Sequence, residues 1–122
     1  MTRGLSDAPI TLVAVHAHPD DEMLATGLAL AHHALAGSEV HVITATLGQE
    51  GEVITPELAH LEGTDRLGLH RHGELSGAMR TLGAHHEYLG ATGPADHGAD
   101  LAFAAPRWRD SGMAGSPAAQ HP

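Results

Sequence analysis

The chain has 122 residues, with six basic side chains, all arginine, against fifteen acidic ones, giving a formal charge of −9 with histidine neutral; this balance argues against a nucleic-acid or anionic-membrane surface. Its length fits one domain that buries roughly two-thirds of its unfolded surface, and not two. With no cysteine and twelve histidines, disulfides and thiolate metal sites are excluded, so any metal must be held by histidine and carboxylate.

Met1 to Pro9 has no apolar stretch after Arg3, and nowhere does the chain approach the run of about eighteen apolar residues that a membrane span needs. A soluble, cytoplasmic protein is expected. Ile10 to His16 is a β-branched-rich run between Pro9 and a polar cluster, which predicts a buried strand. A helix should follow: Leu24, Leu28, Ala31 and Leu35 keep helical spacing, Asp20, Asp21 and Glu22 supply negative charge at its start, and Gly37 stops it. Glu39 to Thr46 reads as a second strand, so the unit is βαβ with parallel strands and a right-handed crossover.

Thr55-Pro56 resembles an N-cap with proline at the first helical position. Leu58 and Leu61, then Leu75, Met79 and Leu82, continue the helical spacing, while Gly63, Gly68, Gly73 and Gly77 predict a break into two pieces. His86 to Leu89 reads as a third short strand. The fold class is therefore α/β, a Rossmann-like parallel sheet with flanking helices. Leu, Ile, Val and Phe make up only about a fifth of the chain and nearly all precede Gly90, so residues 1–90 are expected to form an N-terminal α/β half and 91–122 a loop-rich segment and tail. Parallel sheets are normally covered on both faces, and this material is too little for that, which points to an incomplete domain.

The strongest chemical feature is His18-Pro19-Asp20-Asp21-Glu22, placed where the first strand hands over to its helix. Ligands of open α/β sheets bind beyond the carboxyl ends of strands. His18 and Asp21 could both address one cation across a sharp turn, with Asp20 between them as a carboxylate free to act as a base. The plainer reading is that the acidic cluster caps a helix.

The run His16-Ala17-His18-Pro19-Asp20-Asp21-Glu22 resembles the signature of the LmbE-like, or PIG-L, zinc deacetylases of N-acetylglucosamine conjugates. Leu47 to Ile54, Arg71-His72-Gly73-Glu74-Leu75 and Arg107 to Met113 extend the resemblance, which is closest to the branch that removes acetyl from N-acetylglucosaminyl-inositol in mycothiol biosynthesis. It implies zinc held by His18 and Asp21, Asp20 as general base, and Arg71 and Asp110 in contact with a small amino-sugar conjugate. An arginine and a carboxylate each offer paired hydrogen-bonding positions to a polyhydroxylated ligand. The related mycothiol S-conjugate amidases typically carry lysine where this chain has Ala25, which favours the deacetylase. In the family a further histidine ligand lies in a later motif that this chain does not contain, so a truncated, inactive fragment with weak metal or sugar binding is the alternative. His97 and His121 are read as solvated. His16 is read as a hydrogen-bonded neighbour of the site; His32, His33, His41, His60, His70, His72, His85 and His86 are read as surface histidines without ligand-like convergence.

Overall fold

The computed structural model describes residues 10–91, Ala95 and residues 105–110. In chain order they form β1 (Thr11–His16), α1 (Asp21–Leu35), β2 (Glu39–Thr44), a 3-10 helix (Pro56–Leu61), α2 (Asp65–Leu82) and β3 (His85–Tyr88). The strands make one sheet in the order β1-β2-β3, parallel at both junctions, with Thr11 opposite Glu39 and His41 opposite His85. The α/β parallel sheet read from the sequence is present.

Strand alternation assigns side chains to two faces. One face carries Leu12 and Ala14 of β1, Val40 and Val42 of β2 and Tyr88 of β3, packed with Leu30 of α1 and Leu75 and Met79 of α2. Both helices lie over this face, as follows when consecutive parallel strands are joined by crossovers of one hand. The opposite face has no helix over it among the described residues: Val13 and Val15 are 53% and 60% exposed. This one-sided cover is what the small supply of large apolar residues predicts.

Helix α1 forms where expected, and Gly37 follows it at φ 85°, a left-handed conformation open to glycine. Its rotation differs from the simplest reading of the leucine stripe. Leu24, Leu28 and Leu35 face outward, at 86%, 91% and 90% exposure, while Glu22 and Leu30 are buried. The helix start explains this: the Glu22 carboxylate accepts the Asp20 amide N–H, and the Thr26 hydroxyl lies against His16 of β1, which pins the Glu22, Thr26, Leu30 side of the helix to the sheet.

The two helical pieces expected after Thr55 are also present. The break falls at Gly63 alone, between the 3-10 helix and α2, whereas Gly68, Gly73 and Gly77 all remain inside α2. Each interior glycine costs about 1 kcal/mol of helix propensity, and burial of Leu67, Leu75 and Met79 outweighs it. No described helix is long and apolar enough to cross a membrane.

Candidate metal and active site

At the carboxyl end of β1 the chain turns through Ala17 to Asp20 into α1. Asp20 has φ 85°, the left-handed region that non-glycine residues seldom occupy and aspartate tolerates better than most. Its amide donates to Glu22 Oε1 at 3.2 Å, and its carbonyl accepts the amides of Met23 and Leu24. The Asp20 side chain makes no capping bond, while Asp21 and Glu22 stand in the first turn of the helix. Asp21 Oδ2 accepts the His18 amide at 3.1 Å and lies 3.5 Å from His18 Nδ1.

Arg71 reaches this turn from α2. Its Nη2 donates to the Pro19 carbonyl at 2.7 Å and lies 3.4 Å from Asp20 Oδ2, while Nη1 donates to the Gly48 carbonyl at 2.9 Å. One guanidinium thereby ties the β1–α1 turn to the loop after β2. The loop passes close to it: Gly48 has φ 67°, which favours glycine, and a Cβ at either Gly48 or Gly51 would force the guanidinium to shift.

Residues 105–110 return to the same edge of the sheet. The Arg107 amide bonds the Leu89 carbonyl, and Arg109 pairs with Asp65 and Glu50. Asp110 is buried. Its Oδ1 lies 3.2 Å from His18 Nε2, its Oδ2 accepts the Glu50 amide at 3.0 Å, and its own amide donates to Gln49 Oε1 at 3.3 Å. All five residues singled out from the sequence, His18, Asp20, Asp21, Arg71 and Asp110, therefore meet at one edge.

The His18 ring lies between two carboxylates, with Nε2 3.2 Å from Asp110 Oδ1 and Nδ1 3.5 Å from Asp21 Oδ2. An imidazole that donates from Nε2 to Asp110 presents Nδ1 to a cation beside Asp21, and a carboxylate behind a ligating imidazole is the usual way of fixing its orientation. Among the described residues no further histidine or carboxylate completes a three-ligand group with this pair; His97 and His121 lie outside the described residues.

Behind the site runs a buried polar network. Burial raises the Glu22 carboxyl above its ordinary range, and Glu22 Oε2 has no hydrogen-bond partner among the described residues. Burial, with Glu22 nearby, also raises the Tyr88 phenol, which keeps its proton and is hydrogen-bonded with His72 Nδ1 at 2.7 Å; burial depresses His72, which favours its neutral form. His86 is buried and bonds Thr44 Oγ1 at 2.9 Å. The reading of the remaining histidines as surface groups without convergence is corrected at four positions. His72 and His86 belong to this interior because β3 turns its His86 and Tyr88 side inward, and His41 and His85 converge with Glu39 on the other face. His16 bonds Thr26, as expected of a neighbour.

Gln49 and the Glu50 amide were given no role from the sequence, and Glu22 was named only as part of the acidic run at the helix start. Gln49 and Glu50 lie in a segment that carries the family resemblance, but only the fold shows that they grip Asp110.

A family profile described as PIG-L, GlcNAc-PI de-N-acetylase, matches residues 13–118. The chain belongs to the PIG-L family. Similar curated relatives include a 1D-myo-inositol 2-acetamido-2-deoxy-alpha-D-glucopyranoside deacetylase of Thermomonospora curvata, 45% identical over 97% of this chain and 36% of the relative. One of the same name from Mycolicibacterium vanbaalenii is 49% identical over 89% of this chain and 35% of the relative. The chain thus spans about a third of the length of the curated relatives it matches. Among solved structures, GalB, the 4-carboxy-2-hydroxymuconate hydratase from Pseudomonas putida KT2440, is similar at TM-score 0.53 and 28% identity, covering 64% of this chain and 32% of that one.

Proposed function

We propose that the chain carries the base-bearing part of a zinc-dependent hydrolase that removes acetyl from N-acetylglucosaminyl-inositol, as in mycothiol biosynthesis. The observation that carries the reading is the convergence of His18, Asp20, Asp21, Arg71 and Asp110, from three separated segments, at the carboxyl edge of the sheet. The names of the relatives support the substrate class; the similar fold of a hydratase shows that architecture alone does not fix the reaction.

In this reading His18 Nδ1 and Asp21 Oδ2 hold the zinc, which when bound supplies Lewis acidity to an amide carbonyl and acidity to a water. Asp20, with its side chain 58% exposed beside Arg71, is the base that takes the water's proton and can return it to the departing amine. Arg71 and Asp110, expected as sugar contacts, also build the site: Arg71 holds the Asp20 turn and Asp110 holds the His18 ring. A soluble, cytoplasmic location belongs to the same proposal, as does a substrate-contact role for the stretch 91–122.

Acetate release from N-acetylglucosaminyl-inositol, with a mycothiol S-conjugate compared in parallel, tests the reading. Zinc-dependent release that prefers the sugar-inositol substrate and drops by about 10²–10⁴-fold in Asp20→Asn is expected. Preference for the S-conjugate would identify an amidase. A second reading, an inactive fragment with weak metal or sugar binding, is favoured by the two-ligand set among the described residues, and absence of release together with weak zinc or sugar binding would support it.

A further inference from the structure

At the opposite, amino-terminal edge of the sheet, on the face that carries no helix among the described residues, Glu39, His41 and His85 bring one ligand atom each to within 4.8 Å of one another. We propose that these three side chains form a second site, for a divalent transition-metal ion, independent of His18 and Asp21.

The placement follows from strand geometry. His41 and His85 are register partners on adjacent parallel strands, so their side chains leave the same face; Glu39, two residues before His41, shares that face. The imidazoles stack with centroids 4.8 Å apart and planes 29° apart. Glu39 Oε1 lies 2.7 Å from His41 Nε2. A zinc ion with ligands at about 2.0–2.1 Å holds them about 3.3 Å from each other. Small side-chain rotations close the difference, and they are open to groups at the surface: Glu39 and His85 are exposed and His41 is half-buried. The ion would replace the hydrogen now shared by His41 and Glu39.

Two imidazoles and one carboxylate form a borderline donor set that suits zinc, nickel or copper rather than magnesium or calcium. Three protein ligands leave a position for water. The chain's charge of −9 raises the local concentration of any cation. Six-residue β2 separates the two edges by about 16 Å, at a strand rise of ~3.3 Å per residue, so the two ions would not share a ligand.

Zinc titrations of the 122-residue chain, followed by equilibrium dialysis and by the imidazole NMR signals, decide the matter. In the His18→Ala/Asp21→Ala variant one zinc per chain is expected to remain and to shift the His41 and His85 signals. His41→Gln and His85→Gln in that background should each weaken binding by about tenfold or more. Glu39→Gln, which alters only an exposed side chain, should weaken it as well and guards against an effect of misfolding. Loss of all zinc in the His18→Ala/Asp21→Ala variant, or retained zinc that Glu39→Gln and His41→Gln leave unchanged, would overturn the proposal.

Discussion

The two edges of one small sheet each gather histidine and carboxylate, and they do so by different means. At the carboxyl edge the groups stand on turns and loops, and each is gripped by the rest of the fold: Asp110 by the Glu50 amide, Arg71 by two backbone carbonyls, Asp20 by Glu22. At the amino edge Glu39, His41 and His85 stand on the strands themselves, and register alone brings them together. The first arrangement fixes orientation through part-buried hydrogen bonds, which suits chemistry. The second rests on surface side chains held only by one another, through the Glu39–His41 contact and the His41–His85 ring stack, which suits binding.

The comparison can be broken most severely from below, because both edges depend on the core beneath them. Leu30 is fully buried against the sheet. Leu30→Ala is expected to lower stability by about 2–5 kcal/mol, read by urea denaturation, and metal binding at both edges should weaken together.

A sharper cut separates the edges. Asp110→Asn keeps the shape of the side chain but can present an amide N–H toward His18 Nε2, which favours the other tautomer and takes the Nδ1 lone pair away from Asp21. Zinc affinity at the carboxyl edge should fall about 10–100-fold, with the amino edge unaffected. The imidazole NMR signals distinguish the two.

Gly48→Ala acts on the brace rather than on the ligands. A methyl at φ 67° against the Arg71 guanidinium should cost about 1–2 kcal/mol of stability in thermal melts. It should also lower activity by loosening the Asp20 turn.

The smallest expected effect concerns pH. Glu22 titrates above its ordinary value of 4.5 in the folded chain because it is buried, so the folded state holds a proton that the unfolded state has released. The stabilisation from this group is complete below pH 4.5 and is lost as pH rises through the raised value. Glu22→Gln should therefore be more stable than the parent chain near neutral pH, an advantage that shrinks toward pH 4.5. Urea midpoints measured across that range check it.

The same contrast explains what the sequence disclosed. The His18 to Glu22 run is contiguous and sits at a strand end, so its position was legible, as were the three strands, although β2 ends two residues before the expected Thr46 and β3 runs His85–Tyr88 rather than His86 to Leu89. Asp110 and Arg71 were legible as site members through family resemblance, yet their grip on His18 and Asp20 required the tertiary fold. The outward rotation of Leu24, Leu28 and Leu35 was hidden because Glu22 and Thr26, polar residues, set the buried side of α1. The amino-edge cluster was invisible for a related reason: His41 and His85 are neighbours only through strand register, which no local spacing reveals.

The most direct test of the central claim is zinc stoichiometry and affinity at the carboxyl edge in isolation, measured on the His41→Gln/His85→Gln chain with and without Asp21→Ala. The account predicts one zinc per chain, bound by His18 and Asp21 and lost in the Asp21→Ala variant. No bound zinc, or zinc whose affinity Asp21→Ala leaves unchanged, would contradict it.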